Sequence, residues 1–179
     1  MDNEADTADT VDAVIADWRR ERPDLDPAAI GIFGRVTRLH AHQRSILNAL
    51  YVEFDLTLPV FDLLASLRRA APPHRKTAGE LASSSMLTTG GITFRLDKME
   101  QQGLVERIRT KTDRRIVYAQ LTPRGVELID AVIEKHLDAE RRMLRGLTDA
   151  ELASLSSLLK KAVASIDANR SPDATAATA

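Results

Sequence analysis

The stretch Thr77–Leu121, TAGELASSSMLTTGGITFRLDKMEQQGLVERIRTKTDRRIVYAQL, sets out a short helix, a turn, a second helix and a β-hairpin in succession. Thr77-Ala-Gly-Glu80 has the form of a capping box, in which a threonine hydroxyl and a glutamate three residues on satisfy each other's free backbone amides. The helix it opens should end in Ser83-Ser84-Ser85. Thr88 is placed to cap the next helix, which presents Ile92, Leu96 and Met99 on one face and closes at Gly103, suited to a left-handed C′ position. Leu104–Arg109 and Arg115–Leu121 then read as two strands around the polar turn Thr110-Lys-Thr-Asp113.

Working outward, the flanks are helical. Upstream, Val11, Val14, Ile15 and Trp18 repeat at i, i+3, i+4 and i+7, predicting a helix that stops near Pro23. Asp26-Pro27 reads as an N-cap followed by proline in the first turn of a long second helix. Ile30, Phe33, Thr37, His40, Leu47, Tyr51 and Phe54 form one stripe of that helix, and Ile32, Val36, Leu39, Ile46 and Leu50 form a second, a width that suggests burial on two sides. Thr57 and Pro59 open a third helix through Val60, Leu63, Leu64 and Leu67, ended by Pro72-Pro73. Downstream, Thr122-Pro123 and Thr148-Asp-Ala-Glu151 open two more helices.

The composition agrees. With 179 residues, 44% hydrophobic and 28% charged, the chain has the make-up of a soluble globular protein, and no run of about 18 apolar residues offers a bilayer span. The acidic start (Asp2, Glu4, Asp6, Asp9) does not resemble a secretory signal, so a cytoplasmic location is expected. Cysteine is absent, which excludes disulfides and thiol-based redox sensing. No Ser-His-Asp or Cys-His set, metal-ligand spacing or phosphate loop is present, so neither catalysis nor a resident cofactor or metal is expected.

The formal net charge is −1, yet between Gly91 and Arg124 eight basic residues stand against four acidic ones. A capped short helix, a polar turn and a second helix carrying hydroxyls and arginine is the layout by which a helix enters the major groove of DNA. Ser84, Ser85, Thr88, Thr89 and Thr93 can donate to phosphates or base edges, Gly90 and Gly91 permit close backbone approach, and Arg95 sits one turn further on. Arg109, Lys111, Arg114 and Arg115 bring positive charge to the hairpin, suited to phosphates or a narrow minor groove. Taken singly, a serine-rich turn or a charged hairpin tip is ordinarily only a solvated surface; the ordered set is what points to DNA.

Leu96-Asp-Lys-Met-Glu-Gln-Gln-Gly-Leu-Val-Glu-Arg107, Asp113-Arg114-Arg115 and Leu121-Thr-Pro-Arg-Gly125 together resemble the recognition helix and wing of MarR-family regulators. The resemblance implies a mostly α-helical winged helix-turn-helix protein with a small β-hairpin wing. It further implies a homodimer clasped by its terminal helices, binding double-stranded DNA at a pseudopalindrome, more commonly as a repressor. The domain plan is then a disordered start (1–8), N-terminal pocket and dimerisation helices (9–56), a DNA-binding domain (57–121), C-terminal dimerisation helices (122–168) and a disordered tail (169–179).

The additional first helix and its tryptophan are similar to the urate-responsive, PecS/HucR-like branch of that family. Trp18, Asp62, Arg95 and Arg107 match the residue types of that branch's pocket, which implies an anionic purine such as urate as effector. The chemistry is coherent: a planar anion stacks on Trp18, pairs with guanidinium groups and opposes the Asp62 carboxylate. The same residues also have plainer readings: Trp18 as core, Asp62 as an ion-pair partner of Arg69, Arg95 as a phosphate contact. Two other functions stay open, a MarR-like repressor answering to phenolic compounds and a winged-helix architectural module with no effector. Of His40, His42, His74 and His136, the first two lie on the long helix, where an interface would make them acid-sensitive and a free surface would not.

Overall fold

The computed structural model describes residues 9–84, 91–109 and 116–169. In chain order these form α1 (Thr10–Glu21), α2 (Ala28–Val52), α3 (Leu58–Arg68), β1 (Arg75–Thr77), α4 (Ala78–Ser84), α5 (Ile92–Gln101), β2 (Val105–Arg109), β3 (Val117–Leu121), α6 (Pro123–Met143) and α7 (Asp149–Asn169). They group into two compact units, one through Ala139 and one from Glu140. The expectations for residues 1–8 and 170–179 lie outside the described residues.

The helix starts follow the local chemistry of the sequence. Asp9 caps α1 by accepting from the amides of Val11 and Asp12 at 2.8 and 3.0 Å, and Asp12 reaches back to the Asp9 amide, closing a capping box. At α2 the boundary differs by one residue from the expected one. Asp26 still accepts from the Ala28 amide at 3.0 Å, but the first helical bond runs from Ile30 N–H to the Pro27 carbonyl, so Pro27 is the N-cap. Thr57 is the N-cap of α3 as expected, although its hydroxyl makes no capping bond, and Pro59 lies in the first turn. Thr148 and Glu151 form the box that opens α7.

The core of the first unit is built around α3. Every residue from Val60 to Leu67 is buried, and Leu63, Leu64 and Leu67 are almost wholly so. Tyr51 of α2 stacks on Phe61 with ring centroids 4.7 Å apart, Phe61 stacks on His136 of α6 at the same distance, and the Tyr51 hydroxyl lies 2.9 Å from His136 Nδ1. Arg68 grips Asp130 of α6 through two hydrogen bonds of 2.7 and 3.1 Å. This pairing holds the Asp130 carboxyl below its ordinary range.

The sheet has one more strand than the expected hairpin. β1 joins the edge of β3, giving the antiparallel order β1-β3-β2, with Lys76 opposite Ala119 on one side and Arg107 opposite Ala119 on the other. Three residues following a turn with a cis Pro72–Pro73 peptide are too few to carry a period-two pattern, so this strand left no signal in the sequence. It is held by pairing, by Arg75 lying over the Tyr118 ring at 4.8 Å and by Lys76 donating to buried Ser66 at 3.0 Å.

α1 packs on α2 beside Gly34, where an added Cβ would meet Val11 at 3.0 Å. Arg35 of α2 ties the two together through Asp9 and Asp12. Outside that contact α2 keeps little buried beyond Leu47 and Tyr51; Ile32, Phe33, Val36, Leu39 and Ile46 are exposed. α7 has no buried residue, and its Leu155, Leu158, Leu159, Val163 and Ile166 all face outward. Among the described residues no helix is long and apolar enough to cross a membrane.

Candidate nucleic-acid interface

The capping box at Thr77 forms as its residues dictate. Glu80 accepts from the Thr77 amide at 2.7 Å and from its hydroxyl at 2.9 Å, and the Thr77 hydroxyl accepts from the Glu80 amide at 3.2 Å. These bonds, the backbone one foremost, hold the Glu80 carboxyl below the usual glutamate range. Leu81, completely buried, pins α4 to the core. Ser84 is the last residue of α4.

α5 begins after Gly91, whose φ of +82° is open to glycine at little cost and strained for other residues. Ile92, Leu96 and Met99 are buried, as their spacing predicts. The far end closes as a Schellman motif: Leu104 N–H bonds the Met99 carbonyl and Gly103 N–H bonds the Glu100 carbonyl, both at 2.9 Å, with Gly103 at φ +69°. Met99 and Leu104, both buried, supply the apolar contact of that motif.

This terminus is then locked to α6. The Thr122 hydroxyl donates to the Gly103 carbonyl at 2.7 Å and accepts from the Gly125 amide at 3.1 Å, while Thr122 N–H bonds the Leu104 carbonyl at 3.1 Å. Gly125 lies so close to that carbonyl that any Cβ would collide with it. The Leu-Thr-Pro-x-Gly sequence is therefore a clamp: threonine for the bonds, proline for the helix start, glycine for the close approach.

Among the expected DNA contacts, Thr93 and Arg95 lie on α5 and Arg109 ends β2, exposed. Thr93, Arg107 and Arg109 come together along a cleft of about 320 Å³ between α5 and the sheet, floored by Leu96, Val117 and Ala119. Ser85, Thr88, Thr89, Gly90, Lys111, Arg114 and Arg115 lie outside the described residues, and of Ser84 only the backbone is described. The sequence reading missed Phe94, which stands on α5 with 74% of its surface exposed. Its signal was available: an aromatic residue falling opposite the apolar stripe of its own helix.

The four residues assigned to a ligand lie on four elements. Asp62 is buried within α3, 6% exposed, and Trp18 on α1 is 48% exposed, which within this chain removes the reading of Trp18 as core. Arg107 on β2 is paired with Asp97 of α5 and, at 3.6 Å, with Glu100 one turn on. The cleft between α5 and the sheet is lined by Arg107 and by neither Trp18 nor Asp62.

A capped helix, a second helix clamped at its C-terminus and a three-stranded sheet with cationic side chains beside it are the parts of a winged helix-turn-helix DNA-binding protein. The MarR family profile matches residues 54–116. The transcriptional regulator PecS of Dickeya dadantii is 34% identical over 149 residues, covering 83% of this chain and 90% of its own. The multiple antibiotic resistance protein MarR of Escherichia coli is 32% identical over 117 residues, 65% of this chain and 79% of its own. The crystal structure of an E. coli MarR mutant complexed with operator DNA superposes with a TM-score of 0.64 at 27% identity, over 81% of this chain and 96% of that one. AbsC, a MarR family regulator from Streptomyces coelicolor, shares the fold with a TM-score of 0.71 at 23% identity, over 80% of this chain and 97% of that one. The chain belongs to the MarR family of transcriptional regulators.

Proposed function

We propose that this protein is a homodimeric repressor that binds pseudopalindromic promoter DNA and releases it when an anionic purine-like molecule such as urate binds Trp18, Asp62, Arg95 and Arg107. The observation that carries the ligand reading is the position of Arg107, a wing-strand residue whose guanidinium is held by Asp97 and Glu100 of α5. An anion that takes Arg107 from those carboxylates removes a support of the helix that faces DNA, so ligand and operator are coupled through one side chain. The similarity to PecS over 90% of its length supports the branch assignment. The outward apolar residues of α2 and of α7 support a second copy as the covering partner, since apolar surface on this scale is seldom left against water.

The test uses the chain's single tryptophan. Urate is titrated against the protein and against its promoter complex, with salicylate as the phenolic comparison. Urate should quench Trp18 emission and release DNA over the same concentration range. Trp18→Phe and Arg107→Ala should each raise the urate needed for release at least tenfold; unchanged release in both variants rejects the pocket, and release by salicylate alone assigns the effector to the phenolic class.

A further inference from the structure

We propose that Phe94 is a base-reading residue of this regulator, and that it selects operators carrying a thymine 5-methyl group at one position in each half-site. The inference rests on the assignment of α5 as the helix that enters the major groove and goes beyond it by naming what one side chain reads. Ile92, Leu96 and Met99 turn into the core, which sends Phe94 to the opposite side of the helix, in line with Gly91, Lys98 and Gln101 at i−3, i+4 and i+7. All four of these residues are exposed, and Phe94 is the most exposed large apolar residue of the helix, at 74%.

A phenyl ring has no donor or acceptor, so it gains nothing from phosphates or from the polar base edges. The thymine 5-methyl is the one apolar group that the four bases present in the major groove. Contact with it removes both surfaces from water, which is the favourable term open to this ring on a polyanion. The surroundings select DNA over an apolar protein partner. Thr93 and Arg95 are its neighbours along α5, Lys98 follows one turn on and Arg109 ends the neighbouring strand. Arg107 is already paired with Asp97 and Glu100, so Arg95, Lys98 and Arg109 carry the positive charge around this apolar centre.

The experiment begins by selecting bound sequences from a random duplex pool with the full chain. Each thymine of the resulting operator is then replaced by deoxyuridine, which deletes the methyl and leaves the pairing edge intact. One position per half-site should weaken wild-type binding about fourfold per substituted half-site, the effect of one buried methyl. Phe94→Ala should lose that thymine preference while melting with the wild type, because the ring lies outside the core, and Phe94→Leu should restore part of it. A converged operator whose affinity ignores every methyl, or a thymine preference unchanged in Phe94→Ala, overturns the inference and leaves the DNA assignment standing. A pool that fails to converge overturns both. If Phe94→Ala changes the oligomeric mass and leaves operator affinity alone, the ring belongs to an interface between copies and the inference is wrong.

Discussion

α3 and α7 carry four leucines each and meet opposite fates. From Val60 to Leu67 α3 is buried without a break, whereas α7, nearly twice as long, buries nothing. The contrast shows that apolar residues alone do not decide what a single chain covers. α3 is surrounded because α2, β1, α4 and β3 all pack on it. α7 carries its Leu and Val residues on a surface for which the second unit supplies no cover of its own. The first unit thus has a core around α3, whereas the apolar residues of α7 would need a second copy, as proposed above, to be covered.

The comparison breaks or holds on matched substitutions. Leu64→Ala, at a site with no exposure, should cost about 2–5 kcal/mol in chemical denaturation. The same change at Leu158, 63% exposed, should cost under about 0.5 kcal/mol at dilutions where the chain is monomeric, with a larger cost appearing only as concentration rises. Equal costs at both sites would remove the distinction. Gly125→Ala, which drives a methyl into the Leu104 carbonyl, should cost about 1–3 kcal/mol and lower the melting temperature without changing oligomeric mass.

The smallest expected effect sharpens the account of α4. Thr77→Ala should remove about 1 kcal/mol at neutral pH, read as a drop in melting temperature. The bond from the Glu80 amide to the Thr77 hydroxyl does not titrate, and the Thr77 backbone bond that chiefly lowers the Glu80 carboxyl survives in the variant. Only the share owed to the hydroxyl–carboxylate bond depends on pH: it is complete above the unfolded carboxyl range and lost as pH falls through the lower native value. The gap between wild type and variant should therefore narrow in acid without closing. A gap that stays constant down to about pH 3 would mean that Glu80 is not the partner that matters.

Much of this was legible in the sequence because the signals were local. Three of the helix starts carry reciprocal side-chain caps, at Asp9, Thr77 and Thr148, and the last two were readable from spacing alone. The heptad-like spacing of Ile92, Leu96 and Met99 fixed which side of α5 turns inward. β1 was not legible, since a three-residue edge strand is defined by what it pairs with. Neither was the stack of Tyr51, Phe61 and His136, because residues 85 positions apart meet only through the packing of α2, α3 and α6. In the interface, residue types announced the cationic side chains, but the pairing of Arg107 with Asp97 and Glu100 needed the register of β2 against α5. Phe94 was passed over because an apolar residue in a helix is read first as core.

The clamp between Gly103 and Thr122 gives the reading helix a rigid handle. α6 spans 21 residues, about 30 Å of rod, and Thr122, the residue before it, bonds the carbonyls of Gly103 and Leu104 just past the end of α5. Those bonds and the close approach of Gly125 fix the start of α6 against the chain that leaves α5. If α5 enters the groove as proposed, substitutions in the first turn of α6 should alter operator affinity without touching a nucleotide.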